Sequence, residues 1–413
     1  MSTSELFELP ETVQRLHEGP LAAHIDAYAS RLLEQGFSSG RARDRIRLVA
    51  DFSRWLHREK LGATDVNPET VDRYLKTQGR HIHSGRGAPA ALQELLNVLC
   101  CENVTGREQC FVKAVEPCQR EEQNFERYLS QERGLSERTL ENYLPFVHQL
   151  LQERFGSGPI DFAKLHASDI TQFVQRHAYD HSRSRTGAMV AALRAFLSHL
   201  RYRGAITTDL AACVPTVANW SFATVPKYLR PGEVQQVLRH CDRSCATQRR
   251  DYAILLLLAR LGLRAGEVVR LTLDDIDWKE GTLRLRDKRG REAKLPVPVE
   301  VGEALADYLQ NVRPRVVSRR LFIRQRAPRV GLGRTAISLI VRRALSRAQV
   351  DSPRKGAHLF RHTLATEMLG RGASLTEIGQ ILRHEHPRTT MIYAKVNIPA
   401  LRRLAPAWPG GGR

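Results

Sequence analysis

Two segments of the chain, about a hundred residues apart, share one pattern: a turn followed by a stripe of apolar residues. The turns are Gly36-Phe37-Ser38 and Gly134-Leu135-Ser136. In each segment the serine is expected to cap a helix whose apolar residues recur on one face. The stripes consist of Ile46, Val49, Phe52 and Trp55 in the first segment and Leu140, Tyr143, Val147 and Leu150 in the second. The repeat predicts two small helical domains with the same plan.

A further part of the chain begins after a segment bounded by prolines. Between Pro215 and Pro226 the helical pattern lapses, which indicates a linker. Beyond it the pattern is mostly helical, but residues 282–286 alternate apolar and basic side chains and residues 294–297 resume an extended pattern. A chain of 413 residues is long enough for two or three domains. We therefore predict a mainly α protein whose last domain contains one β-hairpin.

The chain carries a large excess of positive charge. It has 64 Lys and Arg residues against 44 Asp and Glu, which gives a formal net charge of +20. Surface cations bind polyanions by releasing counterions from phosphates, although charge alone does not distinguish DNA from RNA or an acidic membrane. Arginines on a helix face are most often simply solvated, but here we expect some to contact DNA. The candidates are Arg43, Arg47 and Arg54 in the first helical segment and Arg183, Arg185 and Arg194 in the second.

The sequence favours a cytoplasmic location. The most apolar run, residues 254–259, is much shorter than the roughly 20 residues of a membrane span. The first residues lack the basic and then apolar pattern of a signal peptide. The seven cysteines are an odd number, which fits reduced thiols. We expect a cytoplasmic, nucleoid-associated protein with no membrane partner.

Four short motifs follow one another in the last part of the chain. They are Leu261-Gly262-Leu263-Arg264-Ala265-Gly266-Glu267, then Lys288 at the predicted hairpin turn, then His358-Leu359-Phe360-Arg361-His362, and finally Leu382-Arg383-His384 with Tyr393 nine positions later. Taken singly, each has an ordinary explanation, such as a solvated basic turn or a core aromatic residue. In this order and spacing they resemble the tyrosine recombinase family, the phage-type integrases and their relatives.

The resemblance covers residues 121–404 and implies a C-shaped clamp around duplex DNA. The implied fold has two small helical (SAM-like) DNA-binding domains, followed by a mixed, mostly helical tyrosine recombinase catalytic domain with a β-hairpin or small sheet. The expected divisions are an N-terminal helical domain (1–115) that duplicates the next, a core-binding domain (120–215), a linker (216–228), a catalytic domain (229–404) and a C-terminal tail (405–413). In the fourth motif, Arg383 replaces the glycine of the family pattern.

The resemblance also implies a role for the arginines and the tyrosine, and the residue types suit it. Displacement at a phosphodiester builds negative charge on the non-bridging oxygens, which the guanidiniums of Arg264 and Arg361 can hold through charge-assisted hydrogen bonds. Tyr393 is the implied nucleophile, and its phosphotyrosine bond stores the energy for religation. For this reason we expect no metal ion and no nucleotide cofactor.

Three further residues complete the implied catalytic set. Lys288 is the implied general acid for the leaving 5′ oxygen, with Arg289 and Arg291 as alternatives because a short hairpin is hard to align. His358 and His384 are expected to assist proton transfer and to hydrogen-bond the phosphate. Glu267 is expected to orient Arg264 or to hold neighbouring helices, and not to take part in proton transfer. The neighbouring His362 and His386 are interpreted as local structure or as contacts with the DNA backbone.

The function expected from this resemblance is site-specific DNA recombination through a 3′-phosphotyrosine intermediate, in the integration, excision or transposition of a mobile element. The expected partners are double-stranded DNA, three further copies of the chain in a tetramer on two duplexes, and accessory recombination proteins. Two alternatives stay open. One is a catalytically silent DNA-binding protein of the same fold, and the other is an enzyme like the type IB topoisomerases.

Overall fold

The computed structural model describes residues 3–7, 9–77, 87–102, 104, 117–156, 158–216, 225–286, 290–396 and 401–402. These residues form two compact units. One unit combines an N-terminal part, up to residue 104, with a C-terminal part, from residue 225 onward; the other is a middle unit, residues 117–216. The predicted mainly α fold is confirmed, because helices predominate and the strands of the described residues form one small sheet.

The N-terminal part is built around its longest helix. Its helices are α1 (Pro10–Leu16), α2 (Ile25–Glu34), α3 (Ser39–Arg58), α4 (Pro68–Thr77) and α5 (Ala88–Cys101), with 3-10 turns at Thr3–Glu5, Ala22–His24 and Ala63–Asp65. The predicted apolar stripe of α3 is buried. The ring of Phe52 packs against that of Tyr74 on α4, with the two ring centroids 4.9 Å apart. Each such buried aromatic side chain contributes about 1.5–3 kcal/mol of hydrophobic stabilisation.

The middle unit also has a long helix that follows a turn. Its helices are α6 (Pro117–Arg127), α7 (Glu137–Phe155), α8 (Ala167–Ala178) and α9 (Arg183–Tyr202), with a π turn at Tyr128–Glu132 and a 3-10 turn at Phe162–Lys164. On α7, Leu140, Val147 and Leu150 are buried, while Tyr143 is half-buried against the same core. Helix α7 packs against α9, which supplies Phe196 to that core.

The predicted serine caps are wrong in one respect. Ser38 and Ser136 each precede the first residue of a long helix, α3 and α7, and both have the extended backbone expected of a capping residue. Neither side chain, however, accepts a hydrogen bond from the helix backbone. The Ser136 hydroxyl lies instead 3.1 Å from the hydroxyl of Thr139. The helices therefore begin where predicted, but without the predicted side-chain caps.

The C-terminal part surrounds one buried helix. Its helices are α10 (Glu233–Arg239), α11 (Ala246–Arg260), α12 (Ala265–Arg270), α13 (Val299–Asp307), α14 (Arg334–Arg347), α15 (Ala357–Gly370), α16 (Leu375–Ile381) and α17 (Pro387–Met391), with 3-10 turns at Leu273–Asp275 and Ile392–Val396 and a π turn at Tyr308–Val312. Residues 253–258 of α11 are all buried, and this helix packs against α13 and α15. A helix that is apolar on every side belongs in the centre of a core. It positions α15, which carries the motif from His358 to His362.

The predicted hairpin is confirmed as part of a three-stranded antiparallel sheet. The strands are β1 (Ile276–Asp277), β2 (Thr282–Arg286) and β3 (Glu292–Pro296), in that order. Arg286 pairs with Glu292 across the last rung of β2 and β3. Residues 287–289, at the turn of this hairpin, lie outside the described residues. None of the helices in the described ranges has the length and apolarity needed to cross a lipid bilayer.

The N-terminal and C-terminal parts touch at a turn and a loop. The backbone N–H of Arg329, in the loop before α14, donates to the carbonyl of Gln35, just after α2, at 2.9 Å. Gly36 has a φ of +79°, and a Cβ there would lie 2.5 Å from Cδ of Arg329. Ala327 packs against the core of the N-terminal part. The turn after α2 is therefore docked on the C-terminal part with no room for a side chain.

Candidate active site

Several motif residues of the C-terminal part, Arg264, His358 and His384 among them, line a cavity of about 740 Å³. Among the described residues, six arginines and three histidines line it: Arg264, Arg270, Arg286, Arg291, Arg334, Arg383, His358, His384 and His386. Three glutamates also line it, and each forms an ion pair with an arginine of the same lining: Glu267 with Arg264 and Arg383, Glu292 with Arg286, and Glu385 with Arg291. The remaining positive charge suits a phosphate group.

Arg264 is positioned by Glu267. It lies at the N-terminus of α12, where its backbone N–H donates to Glu267 Oε2 and its Nη1 to Oε1, both at 2.8 Å. Burial alone would raise the pKa of Glu267, but the charge of Arg383 and the bonds from Arg264 outweigh it and lower that pKa. Glu267 is therefore a buried carboxylate that fixes a guanidinium, and Arg264 remains 37% exposed at the cavity.

Arg361 is held by main-chain carbonyls from two other motifs. It lies on α15 and is only 2% exposed. Its Nη1 donates to the carbonyl of Gly262 at 2.7 Å, and its Nη2 donates to the carbonyl of Leu382. Burial, together with the charges of Arg264 and Arg383, lowers the pKa of Arg361 to about 9. Arg361 thus ties three motifs together from behind the cavity lining.

Tyr393 is buried at the start of the last 3-10 turn, with 1% of its surface exposed. Its hydroxyl lies 2.9 Å from Nδ1 of His362 on α15. Burial raises the pKa of Tyr393 to about 12, against the opposing effect of the positive charges of Arg361 and Arg264. In this state of the protein the phenol is protonated and hydrogen-bonded to a histidine.

Three histidines of the site, His358, His362 and His384, are neutral near pH 7. Burial is the main cause in each case, and it lowers the pKa of His362 and of His384 to about 4 and that of His358 below its ordinary value. Nδ1 of His384 lies 2.6 Å from the hydroxyl of Thr390, and its ring stacks on Tyr393 with the centroids 6.3 Å apart. The site therefore offers neutral imidazoles beside charged guanidiniums.

His362 is the site residue that sequence reasoning missed, since the motif alone suggests only a structural role or a backbone contact for it. Its hydrogen bond to Tyr393 gives it a place at the centre of the site. One signal is present in the sequence: His358 and His362 stand four positions apart, so they lie on the same side of a helix. Their rings are 6.1 Å apart on α15.

Lys288 and its alternative Arg289 lie outside the described residues, so their expected positions stay predictions. The strands that flank them are described. Arg286 from β2 and Arg291 from β3 both line the cavity. The hairpin thus borders the same cavity as Arg264 and His384.

Arg383 shows why the family pattern has glycine at this place. Its φ is +55°, in the left-handed region, which costs an ordinary residue about 1–2 kcal/mol. Its Nη2 lies 3.1 Å from Glu267 Oε2 in a mostly buried ion pair. The turn at Leu382 and Arg383 also presents carbonyls to Arg361 and Arg264. The substitution therefore keeps the backbone of the motif and adds a second cation to Glu267.

We predict that Gly262→Ala destabilises the protein more than Gly281→Ala. Both glycines have a φ of +59°, but a Cβ at Gly262 would meet Leu382 Cδ2 at 2.8 Å, while Gly281 has open space. The φ alone costs about 1–2 kcal/mol in each variant, and the clash adds about 1–3 kcal/mol at Gly262. Urea unfolding of both variants measures the difference. Equal unfolding free energies would contradict the prediction that a Cβ at Gly262, whose carbonyl accepts from Arg361, is too crowded to fit.

The six candidate DNA-contacting arginines divide into two groups. Arg43 and Arg47 on α3, and Arg183 and Arg185 at the start of α9, are exposed. Some of these also contact the protein, since Nη1 of Arg47 lies 3.8 Å from Oδ1 of Asp44. The other two are half-buried. Arg54 pairs with Asp51, and Arg194 donates to the carbonyl of Val214 at 2.9 Å. No group of His, Cys, Asp and Glu residues suited to a metal ion occurs in the described ranges.

This combination of a helical fold and a site of arginines, histidines and a buried tyrosine defines the class of tyrosine recombinases. The XerH site-specific recombinase, solved with a palindromic difH substrate in a post-cleavage complex, shares the fold. It matches 70% of this chain and 87% of its own with a TM-score of 0.57, at 17% sequence identity.

Family models and relatives identify the family. The model of the phage integrase family matches residues 227–398, and that of the phage integrase N-terminal SAM-like domain matches residues 123–204. A protein named as an integrase/recombinase, y4rA, of Sinorhizobium fredii (strain NBRC 101917 / NGR234) is 46% identical over 399 residues, which cover 96% of this chain and 97% of that protein. The chain belongs to the phage integrase family.

A second relative has a name that specifies the type of recombinase. The tyrosine recombinase XerD of Listeria innocua serovar 6a is 28% identical over 278 residues, which cover 66% of this chain and 93% of that protein. Membership of this family makes the chain a site-specific recombinase of the tyrosine type.

Proposed function

We propose that the chain cleaves and rejoins DNA strands through a 3′-phosphotyrosine bond formed by Tyr393. One observation carries this proposal: the Tyr393 hydroxyl is held by His362 in a site where Arg264 and Arg361 both act on its charge. A tyrosine that served only to fill the core would need neither a hydrogen bond to a histidine nor two arginines nearby. The basic cavity beside it is suited to the phosphate backbone of double-stranded DNA.

In this mechanism the arginines stabilise the charge that builds on the phosphate. A guanidinium has five N–H donors, so Arg264 and Arg361 can keep their protein acceptors and still donate to the non-bridging oxygens. Both are fixed before DNA binds, by Glu267 for Arg264 and by two carbonyls for Arg361. Such preorganised donors stabilise a transition state without a cost of reorganisation.

The remaining residues of the catalytic set handle protons. Lys288 is proposed as the general acid that protonates the leaving 5′ oxygen. His358 and His384 line the cavity, and we propose that they hydrogen-bond the phosphate oxygens. Because burial keeps both imidazoles neutral, each has one N–H to donate and adds no charge of its own.

The biological setting proposed for this reaction is the integration, excision or transposition of a mobile element. A relative that matches nearly the whole chain is named as an integrase/recombinase, which supports this choice. Strand exchange joins two duplexes, and we propose a homotetramer that acts on them at the nucleoid, in the cytoplasm, with accessory proteins that set its direction. The alternative of a topoisomerase-like enzyme predicts relaxation of supercoils without a preferred sequence.

Capture of covalent protein–DNA adducts tests the proposal. The chain is expressed in cells, adducts are isolated under denaturing conditions, and the DNA ends attached to the protein are sequenced. We expect ends that share one flanking sequence and carry the protein on a 3′ phosphate. Adducts spread over unrelated sequences would favour the topoisomerase-like alternative, and no adduct at all would favour a catalytically silent protein.

We propose that the N-terminal part also binds DNA, through Arg43 and Arg47 on α3. Both are exposed, and removal of one arginine that binds a phosphate should reduce the slope of log K against log salt by about 0.9. The double variant Arg43→Gln/Arg47→Gln is therefore expected to reduce this slope by about 1.8. Filter binding to the recovered site over a salt series measures it.

A charge-matched control separates phosphate binding from net charge. Arg239→Gln/Arg371→Gln removes the same charge from exposed positions of the C-terminal part and should leave the slope unchanged. If the Arg43 and Arg47 variant also keeps the slope, the N-terminal part acts through protein contacts, of which its docking on Arg329 is an example.

A further inference from the structure

The hydrogen bond between Tyr393 and His362 has no role among those proposed above for the catalytic residues. Nδ1 of His362 lies 2.9 Å from the phenolic oxygen, and the two rings are steeply inclined to each other, with their centroids 5.7 Å apart. The two side chains come from different elements, α15 and the last 3-10 turn. A hydrogen bond of this length connects the reacting oxygen directly to a titratable nitrogen.

A phenol in this site needs a proton acceptor before it can attack. Burial holds the pKa of Tyr393 near 12, so very little phenolate exists at neutral pH. Neither of the other two site histidines has a hydrogen bond to the Tyr393 hydroxyl in the described part of the chain, and Nδ1 of His384 is engaged with Thr390. Among the described residues, His362 is the side chain that the structure shows bonded to the Tyr393 hydroxyl.

Building on the proposed phosphotyrosine chemistry, we propose that His362 is the proton acceptor for Tyr393. As the phenolic oxygen forms its bond to phosphorus, its proton moves to Nδ1 of His362. The bond from phosphorus to the 5′ oxygen breaks, and that oxygen takes a proton from the general acid. In religation the 5′ hydroxyl attacks and returns its proton to the general acid, while the departing phenolate takes its proton back from His362. Each half-reaction conserves atoms and protons.

The surroundings of His362 fit this role. Burial and the positive charges near it, those of Arg361 and Arg354 among them, keep its imidazole neutral, so Nδ1 is available as an acceptor when Nε2 carries the ring proton. A DNA phosphate bound between Arg264 and Arg361 adds negative charge at this point. That negative charge offsets the positive charges of the arginines, so it stabilises the imidazolium that His362 becomes during attack.

The test compares substitutions at His362 on a nicked suicide substrate built from the recovered DNA site, where loss of a short 5′ fragment traps the adduct. His362→Asn places an amide near the position of Nδ1, so it can still bond to the hydroxyl but cannot take up its proton. We expect single-turnover cleavage to fall by about 10²–10⁴-fold, the usual contribution of acid–base catalysis, with DNA affinity unchanged. The control is His240→Asn, an exposed histidine outside the four motifs, which should cleave normally.

A second substrate distinguishes the acceptor from the general acid. A substrate with sulfur in place of the bridging 5′ oxygen has a leaving group that needs no proton. We expect Lys288→Ala to recover cleavage on this substrate and His362→Asn to remain slow. Addition of imidazole should restore part of the rate to His362→Ala, since it supplies the missing base. His362→Gln serves as the second variant if the asparagine variant does not fold.

The outcomes separate this inference from the function on which it rests. If the parent protein forms no adduct, the proposed function fails. If the parent forms adduct and His362→Asn cleaves within about threefold of it, His362 is not the acceptor, because acid–base catalysis contributes far more. Recovery of His362→Asn on the sulfur substrate would also overturn the inference, because His362 would then serve the leaving group.

Discussion

Tyr393→Phe is expected to bind the target duplex as tightly as the parent protein and to form no covalent adduct. Most of the affinity of such a protein comes from backbone contacts spread over the duplex, which the substitution leaves in place. The phenylalanine ring refills the buried site, but it has no oxygen to attack phosphorus. The loss of adduct should therefore be complete. A gel shift measures binding, and a denaturing gel of the nicked suicide substrate measures adduct.

Tyr308→Phe is the matched control. Tyr308 is also fully buried in the C-terminal part, and its hydroxyl accepts a hydrogen bond from the backbone N–H of Ile323 at 3.1 Å. Removal of this hydroxyl should cost about 1 kcal/mol of stability and leave the adduct intact. If Tyr393→Phe still formed adduct, another residue would be the nucleophile, and Tyr308 and Tyr252 would be the next to test.

The helical plan of the chain could be predicted because the signals for it are local. A stripe such as the one on α3 has the period of a helix, and burial of Phe52 and Val49 follows from that period wherever the helix packs. The β-hairpin is equally visible in its alternation. Strand β1, with only two residues, has no pattern of its own and exists because Ile276 pairs with Leu283.

The resemblance of the motifs to a known family indicated the candidate site residues, but it did not indicate their hydrogen-bond partners. The acceptors of Arg361, at Gly262 and Leu382, belong to two other motifs and meet it only in the folded chain. His362 and Tyr393 are 31 residues apart, and no local pattern shows which histidine faces the tyrosine.

Arg383 illustrates the same limit. In the sequence it is only a departure from a glycine pattern. The structure shows that the backbone is left-handed at this position and that the new side chain pairs with Glu267, 116 residues away. A contact of this kind depends on tertiary structure and leaves no signal in the motif itself.

Arg264→Lys is expected to bind DNA normally but to cleave it at least about 10²-fold more slowly, the usual cost of removing one preorganised donor to an oxyanion. Lysine keeps the charge but replaces a planar fork of donors with a single ammonium group. It cannot donate to Glu267 and to the carbonyl of Arg383 with the geometry that Arg264 uses. Single-turnover cleavage of the suicide substrate measures the decrease in rate.

The control is Arg239→Lys, which makes the same exchange at an exposed helix end and should cleave at the parent rate. The charge of the cavity is equal in the parent and in Arg264→Lys, so electrostatic attraction of DNA is equal as well. If Arg264→Lys cleaves much more slowly but binds DNA with the affinity of the parent, the loss is due to the geometry of the guanidinium group and not to its charge. Near-normal cleavage by Arg264→Lys would remove Arg264 from the phosphate clamp, and its pairing with Glu267 would then be structural.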